Sequence, residues 1–123
     1  IQRKWIRGSS AVGLLTMPAF TTNNFFEGGR ALERVWLAAN NDSIGSHPPS
    51  LSTLIFNTLV YGEKEAMPER TRSEALKLLK EFDDLFELDP KQGKVLLLRF
   101  ILGPPPKYKA LRYPIEQILK FGK

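Results

Sequence analysis

The chain has 123 residues, no cysteine, one histidine and a formal net charge of +5, from 18 basic and 13 acidic side chains. Disulfides, thiolate metal sites and a cysteine nucleophile are thereby excluded, and one imidazole does not build a zinc centre. The length suits one compact domain or part of one, and no apolar run approaches the roughly twenty residues that span a bilayer.

The basic residues gather at the two ends: Arg3, Lys4 and Arg7 at the start, then Lys107, Lys109, Arg112, Lys120 and Lys123. The middle, from Glu63 to Asp89, is mixed to acidic. A local anion site such as a phosphate fits this better than a continuous nucleic-acid stripe. No apolar signal-peptide core follows the first residues, and a reducing cytoplasm agrees with the absence of cysteine. The first residue is Ile rather than Met, so the expectation is a chain that begins inside a longer reading frame.

In chain order, residues 1–10 are polar and basic around Trp5 and Ile6, and read as a frayed terminus or an arm. Ala11 to Met17 is a short apolar run closed by Pro18, of a length that suits a strand or a piece of helix. Thr21 to Asn24 reads as a loop. The next helix has Asn24 as N-cap and Glu27 in its first turn, with Leu32, Val35, Trp36 and Ala39 on one apolar face. It should stop near Asn41, because Asn40, Asn41 and Asp42 continue helices poorly. Beyond it, Gly45 is expected at positive φ, and Pro48-Pro49 forces extended backbone. This makes a rigid, side-chain-poor passage that a flat ligand could approach.

Ser50 or Ser52 can cap a second helix with Leu51, Leu54, Ile55 and Leu59 inward, ending near Tyr61-Gly62. Thr71 to Glu74 has the capping-box pattern and precedes Ala75, Leu78, Leu79, Phe82, Leu85 and Phe86 at helical spacing. That helix should end by Leu88, ahead of Pro90. Lys94 to Leu102 is nearly continuous apolar sequence and predicts a central strand buried on both faces. Arg99 interrupts it and must reach an end, a partner or a ligand. The prolines at 104–106 give a stiff exit, and a short helix or extended arm follows Pro114.

Among chemistry-bearing residues, Gly28-Gly29 at a helix start would favour an anion, although neither the dinucleotide fingerprint nor the P-loop pattern is present. His47 reads either as a ligand-facing donor or base, or as an ordinary loop residue. Glu81, Asp83 and Asp84 read as a solvated helix face. Lys107, Lys109 and Arg112 read as a phosphate grip or as a plain basic tail.

Three segments taken together, ALERVWLAANNDSIGSHPPS, VLLLRFILGPPP and LRYPIEQIL, resemble the C-terminal half of nitroreductase-like flavoproteins over roughly Gly28 to Leu119. That family has a helix of the type G-x-A-L-x-R-x-x-L-x-A leading into G-I-G-S-x-P-x-S. A late strand then ends in Arg with a Gly/Pro-rich exit, and an Arg-x-Pro sequence opens the C-terminal segment.

The resemblance implies an α+β fold, an antiparallel-dominated sheet flanked by helices, and a homodimer with FMN at the subunit interface. NAD(P)H would reduce the flavin, and a nitroaromatic, quinone or other conjugated acceptor would reoxidise it. By position, His47, Pro48, Pro49 and Ser50 would lie beside the flavin ring, and Arg112 with Lys109 would meet the FMN phosphate. The Arg-Ser-x-Arg-type motif that family members carry near their N-terminus has no counterpart ahead of Ala11, and Ala110 replaces an expected basic residue. The resemblance therefore implies a C-terminal portion attached to a further N-terminal segment or domain. The alternative expectation is a non-catalytic dimerisation or interaction module built on the same fold. A membrane role is not expected, and nucleic acid is the least favoured partner.

Overall fold

The computed structural model describes residues 2–49, 51–63, 67–104 and 112–120. Its elements run α1 (Gln2–Arg7), β1 (Ala11–Met17), α2 (Thr22–Asn41), β2 (Gly45–His47), α3 (Leu51–Tyr61), α4 (Glu69–Leu85), β3 (Gly93–Ile101) and α5 (Ile115–Ile118). The protein is α+β, with a three-stranded antiparallel sheet in the order β1-β3-β2.

β3 is the central strand, as its apolar run predicts. Leu14 stands opposite Leu97 and Val12 opposite Arg99 on one side, and His47 stands opposite Arg99 on the other. The register shifts between Leu15 and Thr16, whose partners are Leu96 and Lys94, so Val95 is the extra residue of a bulge. Because successive residues point to opposite faces, Leu97 and Leu98 serve two different layers, and both are buried. Ser10 extends the pairing: its N–H donates to the Phe100 carbonyl at 2.9 Å, and its Oγ accepts from the Leu102 N–H at 2.9 Å.

α2 covers one face of this sheet. Gly28 lies against Val95 and Met17, so closely that an added Cβ would stand 2.9 Å from a Val95 methyl. α3 and α4 cover the other face around Phe56, Leu59, Ala75 and Leu79, with Ile55, Met67 and Phe82 packed beside them. Leu59 is the most buried large side chain, and a burial of that extent contributes about 2 kcal/mol. Asn57 Nδ2 donates to the Lys94 carbonyl at 2.9 Å, and Arg72 donates to the Leu59 carbonyl at 3.3 Å, which ties α3 to β3 and α4 to α3. Phe20, in the turn after β1, stacks on Tyr61 at the end of α3 with ring centroids 3.6 Å apart.

Several local expectations are corrected. Thr21, not Asn24, caps α2; its side chain accepts from the Asn24 N–H at 3.2 Å, and the Asn24 amide instead donates to the Ala19 carbonyl. The helix therefore starts earlier, so Glu27 lies past the first turn, paired with Arg30 at 3.0 Å. Gly28 and Gly29 are consequently interior helical residues whose N–H groups are not open to an anion.

In α3, Thr53 and Phe56 turn inward with Leu59, whereas Leu51 and Leu54 are exposed. α4 begins at Glu69 after Pro68, which has no side-chain cap bond, so the TRSE run lies inside the helix. Asp83 does not belong to a solvated face: its Oδ1 is 3.0 Å from Nζ of buried Lys94. Residues 1–10 contribute the helix α1, and the segment after Pro114 forms the one-turn α5.

Candidate functional site

The passage after α2 owes its course to one reversal. Asp42 donates to the Ala38 carbonyl, Ser43 takes a left-handed conformation at φ 58°, and the Ile44 N–H returns to the Ala39 carbonyl at 2.7 Å. This is a tight helix C-terminus in which the left-handed position holds serine rather than glycine. Gly45 is not at positive φ as the sequence suggests; it is the first residue of β2, where an added Cβ would meet only ordinary contacts, the nearest at 3.5 Å.

β2 is an edge strand. Ser46 pairs with Phe100 and His47 with Arg99, and no other described strand lies on its far side. His47 is exposed, while Pro48 and Pro49 are half-buried. The structure therefore brings His47, Pro48 and Pro49 together as one continuous extended wall.

No contact is recorded between Arg112, the other predicted cofactor residue among the described ones, and that wall. Ser50 and Lys109 lie outside the described residues. Arg112 is exposed on the approach to α5, and no ion pair links it to another described residue.

Behind the passage lies a cavity of about 580 Å³. Ile6 and Val12 form one side, Leu97 the sheet floor, Pro49 and Ser52 the rim, and Phe56, Phe82 and Phe86 the helical wall, with Leu85 beside them. The three rings form a ladder, with centroids 5.0 Å apart for Phe56 and Phe82 and 4.9 Å apart for Phe82 and Phe86. Arg99 is two residues beyond Leu97, directly opposite Val12, and so projects from the cavity face of the sheet. Its Nε is buried without a hydrogen-bond partner. The sequence already singled out Arg99 as a charge needing a destination. It did not expose the cavity, whose walls come from five separate elements; the Phe82/Phe86 spacing was the one visible trace.

Comparison with protein-family models, curated proteins and solved structures returns no match for this chain. Among the described residues, no group of His, Asp and Glu is arranged to hold a metal ion, and no helix is long and apolar enough to cross a membrane.

Proposed function

We propose that this chain belongs to an FMN-dependent, NAD(P)H-using oxidoreductase domain of nitroreductase type, acting on nitroaromatic, quinone or similar conjugated acceptors. The observation that carries the reading is the passage from Gly45 to Pro49, an edge strand running into two half-buried prolines. An isoalloxazine is flat and presents alternating donors and acceptors along one edge. A short edge strand can present backbone polar groups along that edge, and proline rings offer the ring face an apolar contact.

When bound, FMN supplies the hydride chemistry. This chain's residues orient and enclose it. His47, exposed on the edge strand, would face the ring. Arg112, exposed and carrying a fixed positive charge, is available to a phosphate, with Lys109 as its expected companion. The α+β architecture, a helix-covered antiparallel sheet, also agrees with the reading. Titrating FMN into the full-length protein tests it: fluorescence quenching with saturation supports the proposal, and unquenched flavin emission at every protein concentration opposes it.

A second reading, a non-catalytic dimerisation module, is favoured by the exposed apolar surface. Phe26, Leu37, Leu54 and Leu85 are all 60% exposed or more. A stable dimer that never takes up flavin would select this reading.

A further inference from the structure

Of the features that the flavin reading leaves unused, the cavity on the α3/α4 face of the sheet is the most developed. Its volume of about 580 Å³ lies within the range of small-molecule sites, and among the described residues its lining is apolar apart from Ser52. One wall is a ladder of three phenylalanine rings, a surface that favours offset or edge-on contact with another aromatic ring. On the same face of the sheet, opposite the lining residue Val12 and two residues beyond Leu97, is Arg99, whose Nε is buried and has no acceptor. A buried guanidinium nitrogen without a partner carries an uncompensated desolvation cost, which an anionic acceptor would remove. The other buried cation of the region, Lys94, is already matched by Asp83. Among the described residues, the unmatched buried charge on this face of the sheet is therefore positive.

We propose that this cavity is a binding site for an aromatic carboxylate, with the ring held against Phe56, Phe82 and Phe86 and the carboxylate accepting from Arg99. The site goes beyond the flavin reading and does not depend on it: of the residues assigned to the flavin wall it shares Pro49 alone among the described lining residues, and FMN is not among its ligands. A guanidinium meets a carboxylate through two parallel N–H donors, so charge rather than size decides between ligands that share the same ring.

The test compares naphthoate with neutral naphthol by ligand fluorescence on flavin-free protein, for the unaltered chain, Arg99→Gln and Val12→Trp. The expected result is naphthoate bound about tenfold or more tightly than naphthol. Arg99→Gln should remove that preference while leaving naphthol affinity in place. Val12→Trp, a substitution at a partly exposed strand position that fills the cavity, should abolish both while circular dichroism and the melting midpoint stay unchanged. Equal affinities in the unaltered chain would overturn the proposal, as would a preference that survives Arg99→Gln. Displacement of naphthoate by equimolar FMN would also overturn it, because the cavity would then belong to the flavin.

Discussion

Nζ of Lys94, at the start of β3, lies 3.0 Å from Oδ1 of Asp83 on α4, across the seam between the sheet and its covering helices. The lysine side chain is almost wholly buried and the carboxylate about three-quarters buried. The contact is chiefly electrostatic, since Asp83 Oδ1 lacks an aligned hydrogen bond. Removing one partner leaves the other charge stranded. Lys94→Met should therefore destabilise the fold by about 2–3 kcal/mol, below the cost for a fully enclosed pair because Asp83 still meets water. The double variant Lys94→Met with Asp83→Leu should recover most of the loss, and urea unfolding midpoints of the three proteins measure both effects.

Adjacent glycines in α2 should respond oppositely to alanine. At Gly28 the new methyl would stand 2.9 and 3.1 Å from the Val95 methyls and 3.3 Å from Met17 Cγ, and a β-branched valine has little freedom to give way. Gly28→Ala should cost about 1–3 kcal/mol. Gly29 has nothing within 4 Å of an added Cβ, so Gly29→Ala should stabilise by up to about 1 kcal/mol through helix propensity alone. Thermal midpoints moving in the same direction would contradict this packing of α2 on β3.

Ser43 holds φ 58° without the freedom of glycine. Ser43→Gly should stabilise by about 1 kcal/mol, whereas Ser43→Val should destabilise and loosen the turn that delivers β2 to β3. Amide exchange at Ile44, whose N–H closes the reversal on Ala39, reports the change directly.

For the flavin reading, Arg112→Ala in the full-length protein should weaken FMN binding about tenfold or more through loss of a charge-assisted contact to the phosphate. Riboflavin, which lacks that phosphate, should bind the variant and the unaltered protein equally. Unchanged FMN affinity would show that Arg112 does not meet the phosphate.

What the sequence revealed followed the strength of its local signals. The 93–101 strand is legible because an apolar run between two glycines has few alternatives, and the end of α2 is legible because Asn40, Asn41 and Asp42 compete with helical hydrogen bonding. Helix starts were less legible. Thr21 outcompetes Asn24 as a cap because the Asn24 side chain is drawn to the Ala19 carbonyl, and α4 starts after Pro68, ahead of the capping-box pattern from which the sequence predicts it.

Inward faces were misjudged where three-dimensional context decides. Asp83 looked solvated because its partner Lys94 is eleven positions away on another element, and Leu54 looked internal because periodicity does not say which side of a short helix meets the sheet. Of the candidate site, His47, Pro48 and Pro49 could be grouped from sequence because they are contiguous. The cavity could not, because Ile6, Val12, Pro49, Phe82 and Leu97 meet only after the chain has folded.

The most direct test of the central claim is the visible spectrum of the purified full-length protein, followed by identification of whatever is released on denaturation. The account predicts flavin absorbance bands, FMN released at about one molecule per chain, and bleaching of the bands on adding NAD(P)H without oxygen. A colourless protein that takes up no added FMN would contradict it.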